Sequence, residues 1–349
     1  MKRKPKKRDD PRVDAIGLRT ILDAMVEAVF IVDDKGRIAL TNRALDELLE
    51  RDARGSRPKK LIRSEQLRTA VRLARKQRVA TEVEVDGTVG ERALTFRAQV
   101  SPLPGRAGVV VVLHDVTALK EADRVRRDLV ANAAHELRTP LTAIRGYAES
   151  LTRGALGDAE VSAAFMQGSL RQTKRLQRLA ADLALLARAE SAEHGYEPAD
   201  TDVCALSREC VASLSALAEE KEVRMAVEIP SAPLVISISA RALEEVLVNL
   251  LENAIKHSGS GDVVTLTVRA SEAGATFEVR DQGVGIEPSL HRRIFERFFR
   301  VDAGRSRHDG GTGLGLAIVR HLVNRMGGTV EVESALGQGA LFRVVVPAR

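Results

Sequence analysis

The sequence predicts an α+β protein of several domains, and three observations carry that expectation. Its 349 residues exceed what a single hydrophobic core usually serves, so two or three domains are expected. From residue 118 to about 193 the helical periodicity is almost unbroken, and the stretches on either side mix strand and helix signals. These changes of character divide the chain into a leading segment 1–17, a mixed domain 18–117, a helical hairpin 118–198 and a second mixed domain 199–349.

The leading segment is basic. Lys2, Arg3, Lys4, Lys6, Lys7 and Arg8 account for the whole formal net charge of +6, so the remainder is near neutral. Such a run reads as a solvated, disordered tail; it is the one place where membrane contact is conceivable, and no nucleic-acid partner is expected. The longest stretch without Asp, Glu, Lys, Arg or His, Ile229 to Ala240, contains Pro230 and Pro233 and falls short of the about 20 apolar residues of a spanning helix. No signal peptide is visible. Cys204 and Cys210 stand alone without a CxxC, which argues against a disulfide framework or structural zinc and fits a reducing, cytoplasmic setting.

In the first mixed domain, Glu27 to Val32 is strand-like, Asp33-Asp34-Lys35-Gly36 a turn, and Arg37 to Thr41 a returning strand. Helical periodicity covers Arg43 to Glu50 and Ser64 to Lys76, followed by strands Val79 to Val85, Ala93 to Val100 and Gly108 to Val116. The helical block is interrupted at Arg153-Gly154-Ala155-Leu156-Gly157-Asp158, a turn signal that makes it a hairpin. Val125, Leu129, Ala133, Leu137, Leu141, Ile144, Ala148 and Leu151 recur at spacings of three and four on one arm, as do Leu170, Leu176, Leu179, Leu183 and Leu186 on the other. Two amphipathic helices bury little alone, so a homodimer forming a four-helix bundle is expected. After Pro198 the signals are helices near 203–221, 239–257 and 313–326, and strands near 223–229, 263–270, 276–281, 329–335 and 340–346.

His135 lies within the first arm, and at about 100° per residue the apolar positions centre roughly opposite it, so it faces solvent. Pro140 lacks an N–H and crowds the carbonyl of Glu136, which predicts a kink beside the histidine. Glu136 can accept a hydrogen bond from one imidazole nitrogen and leave the other free to attack phosphorus, and Thr139 shares the His135 face. The segment Asn132-Ala133-Ala134-His135-Glu136-Leu137-Arg138-Thr139-Pro140-Leu141-Thr142-Ala143-Ile144 closely resembles the phosphoacceptor box of sensor histidine kinases. That resemblance implies that His135 is autophosphorylated, that Glu136 is its acid/base partner, and that Thr139 orients water in dephosphorylation of a partner.

In the last domain, Asn249, Asn253 and Lys256 or His257 fall one turn apart on a helix. Amide oxygens suit Mg²⁺ and a lysine meets phosphate charge, so this face can address a metal nucleotide. Asp281-Gln282-Gly283-Val284-Gly285 ends a strand with a carboxylate and two glycines, Gly283 and Gly285, which suits an acceptor for an adenine amino group with backbone against the ring, or a simple turn. Gly310-Gly311-Thr312-Gly313-Leu314-Gly315 runs into a helix, where backbone N–H groups can hold phosphates. With no GK[ST] following, it is not a Walker loop, and it lacks the strand and acidic residue of a dinucleotide fingerprint. Arg293-Ile294-Phe295-Glu296-Arg297-Phe298-Phe299-Arg300 is either packing or a lid hinge, in a loop with Gly304 and Gly310.

In this order the four elements resemble the catalytic ATP-binding domain of histidine kinases, a Bergerat-type α/β sandwich related to the ATPase domains of gyrase, Hsp90 and MutL. The resemblance implies ATP and Mg²⁺ as cofactors. Asn249 and Asn253 would address Mg²⁺ and phosphate, with Asn253 the metal ligand; Lys256 and His257 flank the nucleotide. Asp281 would read adenine, and residues 295–312 form the lid up to Thr312, Gly313, Leu314 and Gly315. Arg297 and Arg300 are γ-phosphate or interface cations. Ser239 stands where such kinases commonly carry aspartate, and still serves as a helix N-cap.

Residues 21–33 and the exit His114-Asp115-Val116-Thr117 resemble a PAS sensor, a small α/β domain; the exit couples sensor to helix, with a ligand role for His114 the minor alternative, and no PAS ligand can be named. Together these features resemble the phosphate-regulon type of sensor kinase without its membrane segments. The resemblance implies a response regulator receiver domain as partner, phosphoryl transfer from His135 to its aspartate, and phosphatase activity toward it. The rivals are an inactive scaffold or phosphatase member, which should show a damaged ATP box, and a nonkinase ATPase of the gyrase, Hsp90 and MutL type, which would lack the His135 box.

Overall fold

In the computed structural model the described residues are 15–58, 61–62, 64–89, 92–106, 108–153, 158–190, 196–271, 274–301 and 311–348. The chain divides into two compact units, Met1–Asp128 and Leu129–Arg349. Most of the predicted basic tail lies outside the described residues. Its last three positions correct the expectation of disorder to residue 17, because helix α1 (Ala15–Asp23) already includes them.

The first unit is an antiparallel sheet of β1 (Ala28–Val32), β2 (Ile38–Thr41), β3 (Thr81–Val89), β4 (Arg92–Pro102) and β5 (Val109–Asp115), in the order β2-β1-β5-β4-β3. Asp33 Oδ1 accepts from the Arg37 amide at 2.8 Å and closes the first turn. Helix α2 (Arg43–Leu49) begins on Asn42, a buried residue that uses both ends of its amide. Its oxygen accepts from Val29 N and Leu45 N, and its nitrogen donates to Leu22 and Glu27 carbonyls, tying α1, β1 and α2 together. Helix α3 (Glu65–Gln77) buries Leu67, Ala70, Val71 and Ala74 in a core with Phe30 and Phe96. β3 runs four residues beyond the predicted strand because it pairs with β4 as far as Val89.

Helix α4 (Thr117–Thr152) begins where the sheet exits: Thr117 Oγ1 accepts from Thr95 N at 2.9 Å, and Lys120 pairs with Glu84. It continues through Pro140, which is buried. Proline offers no N–H to the Glu136 carbonyl, and beside it Thr139 Oγ1 donates to the His135 carbonyl at 3.4 Å. The second arm is α5 (Ala159–Glu190); of the predicted turn Arg153 to Asp158, positions 154–157 lie outside the described residues. The arms approach closely, for a Cβ on Gly168 would fall 2.8 Å from the Tyr147 ring. Along the hairpin Val130, Leu141, Met166 and Leu170 remain more than half exposed, an apolar surface that two helices leave uncovered.

The rest of the second unit is a sheet backed by helices. After β6 (Ala199–Asp202), α6 (Val203–Ser213) and α7 (Ser215–Glu220) come β7 (Arg224–Glu228), β8 (Val235–Ile238), α8 (Ala240–His257), β9 (Val263–Ser271), β10 (Gly274–Arg280), α9 (Gly315–Arg325), β11 (Thr329–Ser334) and β12 (Ala340–Pro347). The main sheet has the order β11-β12-β10-β9-β7, with β7 and β9 parallel. Alternate residues such as Leu266, Phe277, Val279 and Val344 form one core with the apolar face of α8 and with Ile318 and Leu322 of α9. Ser239 caps α8 as expected, accepting from Ala242 N. Two details differ from the sequence reading. The helix expected over 203–221 breaks at Leu214, and the stretch Ile229–Ala240 contains β8, paired with β6.

Candidate active site

Two of the charged residues among those described are buried, Asp281 and Arg175, and each anchors one half of the candidate site. Burying a charge is costly unless it is paired or hydrogen-bonded, so their partners indicate what the fold is holding in place.

Asp281 follows β10 and is 6% exposed. Its Oδ1 accepts from Gly283 N at 2.9 Å and Ala340 N at 3.1 Å, which fixes the carboxylate and leaves Oδ2 for an incoming donor. Burial raises its pKa above the ordinary carboxylate value, against the two backbone donors and the nearby His257, which lower it. Gly283 is packed so tightly that a Cβ would fall 2.1 Å from the His257 carbonyl oxygen, which joins the Asp281 loop to the end of α8. Gly285 has φ +70° with the Ala335 carbonyl oxygen 1.9 Å from its Cβ position, so the second glycine is required by conformation as well as space.

On α8, Asn249 Nδ2 donates to the Glu245 carbonyl at 2.7 Å, and a Cβ on Gly315 would lie 2.8 Å from Asn249 Oδ1 and 3.8 Å from Asn253 Nδ2. The glycine-rich turn therefore lies directly on the asparagine face. Asn249, Asn253 and Lys256 are half-buried and His257 is exposed. Lys256 Nζ donates to Glu252 Oε2. The amide oxygens are hard, neutral ligands on a half-buried face, which fits an ion such as Mg²⁺ that takes one or two protein oxygens and retains water and phosphate ligands. Gly313, at φ +72°, accepts from Phe298 N at 2.8 Å, and Leu314 N is bound by Thr312 Oγ1 at 3.3 Å. Gly311 has open space around it. Gly304, Gly310 and the other lid residues from 302 to 310 lie outside the described residues.

The helical half is centred on His135, which is exposed as its helical phase requires. Glu136 does not hydrogen-bond to it in this structure: its Oε2 accepts from Arg175 Nη2 of α5 at 2.8 Å. Side chains of successive helical residues start out about 100° apart, so the expected pairing needs a rotamer of His135 or Glu136 other than the one seen here. Asn132, His135 and Glu136 share a cavity of about 290 Å³ with Glu296, Arg297, Phe298 and Phe299. The phenylalanine segment is thus divided. Phe295 is core, edge-on to Phe342, whereas Phe298, at φ +62°, and Phe299, under the Arg293 guanidinium, line the cavity that the histidine lines. Arg300 is half-buried, and Thr139 is exposed outside that cavity lining.

The two halves are joined along α5. Thr312 Oγ1 donates to Asp182 Oδ2, whose pKa is raised chiefly by burial. His321 and Arg325 of α9 reach the Ala189 carbonyl near the end of α5, both at 2.8 Å. Arg175, Asp182 and the Gly339-Ala340 turn beneath Asp281 were not expected from the sequence. A GxG signal at Gly337-Gln338-Gly339 marks the turn, but nothing local marks the other two.

The chain is similar to known proteins. Residues 238–349 match the family described as histidine kinase-, DNA gyrase B- and HSP90-like ATPase, residues 125–192 the His Kinase A (phospho-acceptor) domain, and residues 22–121 the PAS fold. The sensor-like histidine kinase SenX3 of Mycobacterium tuberculosis is 35% identical over 298 residues, covering 82% of this chain and 72% of SenX3. The sensor histidine kinase WalK of Bacillus subtilis is 33% identical over 242 residues, 69% of this chain and 39% of WalK. In fold alone, the chain resembles histidine kinase ThkA in complex with the response regulator protein TrrA, with a TM-score of 0.54 at 22% identity over 95% of this chain and 98% of that one. A second likeness of fold is the Acinetobacter baumannii histidine kinase AdeS, with a TM-score of 0.51 at 23% identity over 62% of this chain and 98% of that one.

Proposed function

This chain belongs to the sensor histidine kinase family, and we propose that it autophosphorylates His135 from ATP and then passes the phosphoryl group to an aspartate of a response regulator. It is a protein-histidine kinase with PAS, phosphoacceptor and ATP-binding domains. The observation that carries the finer reading is the cavity in which His135 and Glu136 meet Arg297, Phe298 and Phe299 of the ATP lobe. An exposed imidazole there is accessible to a phosphoryl group delivered from the lobe.

In the proposed reaction a nitrogen lone pair of His135 attacks the γ-phosphorus, the bond to the β–γ bridging oxygen breaks, and ADP leaves. The proton on the other ring nitrogen passes to Glu136. Asp281 accepts from the adenine amino group, Lys256 and His257 flank the nucleotide, and Arg297 and Arg300 meet phosphate charge. The Gly311–Gly315 backbone, with Thr312, Gly313 and Leu314, lies along the phosphates. Asn253, with Asn249 beside it, would hold Mg²⁺, which when bound neutralises charge on the phosphate oxygens. The apolar residues left open along α4 and α5 support a homodimer. We assign residues 18–117 to the sensor, 118–198 to dimerisation and phosphotransfer, and 199–349 to ATP binding. Among the described residues no helix is long and apolar enough to cross a membrane; the buried free thiols Cys204 and Cys210 support a cytoplasmic setting.

The test is incubation with γ-labelled ATP and Mg²⁺. Acid-labile, base-stable label is expected on the wild type and none on His135→Gln; equal label on both would refute the assignment. Thr139→Ala is expected to label normally and to remove phosphate from the regulator at least 10-fold more slowly, an effect of about 1.4 kcal/mol or more. Wild-type dephosphorylation by that variant would exclude a role for the Thr139 hydroxyl.

A further inference from the structure

We propose that Arg175 is a positioning residue for phosphorylation: it anchors one carboxylate oxygen of Glu136 so that the other is presented to the imidazole of His135. The inference rests on the reading of His135 as nucleophile and goes beyond it by adding a third member on the opposite arm of the hairpin.

The bond runs from Arg175 Nη2 to Glu136 Oε2 at 2.8 Å, with the side chains 11% and 27% exposed. Stability gives little reason for the pair. A buried ion pair is roughly matched, or exceeded, by apolar residues of similar volume, and Arg175 sits on an arm whose other inward positions are leucines such as Leu176 and Leu179. Function gives a better one. Glu136 and His135 are adjacent on α4, so their side chains diverge by about 100°, and an unanchored carboxylate there would be free to turn into solvent. Held by Arg175, Glu136 lines the same cavity as His135 without bonding to it, and its Oε1 has no hydrogen bond among the described residues, so a rotation of the exposed imidazole toward the fixed carboxylate completes the pair. Arginine is suited to the task because its guanidinium is planar and permanently charged, so it anchors the carboxylate without competing for the proton.

Nucleophile, base and base-orienting group then follow the logic of activated nucleophiles generally. The bond to phosphorus forms at one nitrogen of His135, the proton on the other moves to Glu136 Oε1, and Arg175 keeps Oε2 throughout. Arg175 exchanges no proton.

The test is a double-mutant cycle on the full chain, reading the autophosphorylation rate at saturating ATP, with incubations long enough to quantify the slow Glu136→Gln background. Arg175→Gln is expected to lower the rate about 10-fold without changing ATP affinity, and to cause no further loss in the Glu136→Gln background. A wild-type rate for Arg175→Gln, or losses that multiply in the double variant, would overturn the proposal. Arg175→Lys keeps charge and bulk, and carries the same cycle if the glutamine variant folds poorly. A partial deficit that vanishes with Glu136→Gln supports the role, and an undiminished deficit refutes it. Label persisting on His135→Gln would instead refute the underlying nucleophile assignment.

Discussion

Asp281→Asn is expected to weaken ATP binding on the order of 10²-fold while leaving the nucleotide-free fold as stable as the wild type or more so. Asp281 Oδ1 is already committed to two backbone donors, Gly283 N and Ala340 N. An asparagine must place its amide oxygen there, because the nitrogen would confront N–H with N–H. Its NH₂ then occupies the Oδ2 position and faces the adenine amino group, donor against donor. Losing a charge-assisted bond and leaving opposed donors costs about 3 kcal/mol, on the order of 10²-fold in affinity. The free protein loses nothing comparable, since burial raises the Asp281 pKa, so the ionised form is the costly one in the folded state. The same sign fixes the pH dependence. With the folded pKa above the unfolded value, protonation on acidification stabilises the free lobe while removing the acceptor that adenine needs. ATP affinity therefore falls as pH is lowered toward the raised pKa, at a higher pH than an ordinary carboxylate would give. Because guanine presents an oxygen where adenine presents its amino group, the variant's preference shifts toward GTP. Titration calorimetry with both nucleotides checks this, and wild-type ATP affinity in Asp281→Asn would refute the adenine assignment.

What was legible in the sequence was what neighbouring residues encode. The exposure of His135 follows from the phase of the leucines around it, and the Ser239 cap and the asparagine face of α8 follow from spacing within one helix. The phosphate-type turn is contiguous from Gly311 to Gly315. Pairings across the fold were not legible. Arg175 meets Glu136 from the other arm of a hairpin, Asp182 meets Thr312 from a different layer, and Ala340 N reaches Asp281 because β12 lies beside β10. Each is set by tertiary packing: Arg175 stands in a run of charged and polar residues and Asp182 in an apolar run, Leu179 to Leu186, and neither neighbourhood names a partner. The β6 strand escaped for a related reason: Ala199-Asp200-Thr201-Asp202 has no apolar alternation and becomes a strand because β8 supplies its hydrogen bonds. Leu214 breaks the helix predicted over 203–221, though nothing in its side chain stops a helix.

Glycines in the nucleotide motifs look interchangeable in sequence and are not, and Gly283→Ala against Gly311→Ala is expected to show it. A methyl group on Gly283 would lie 2.1 Å from the His257 carbonyl oxygen and 3.2 Å from Asp281 Oδ1. The near obstacle is backbone at the end of α8, which cannot rotate away, so the loop and the helix must separate. Overpacking of this kind costs about 3 kcal/mol, a fall in thermal midpoint on the order of 10 °C for a domain of this size. The separation also parts the adenine acceptor from the asparagine helix, so ATP binding is lost with it. Gly311 has nothing within 4 Å of the same methyl position and no positive φ, so Gly311→Ala should keep the wild-type midpoint to within about 1 °C. Scanning calorimetry of the two variants decides the point. Equal midpoints would mean that the Asp281 loop does not sit on the α8 terminus, and the close approach that places the carboxylate beside the asparagine face would have to be abandoned.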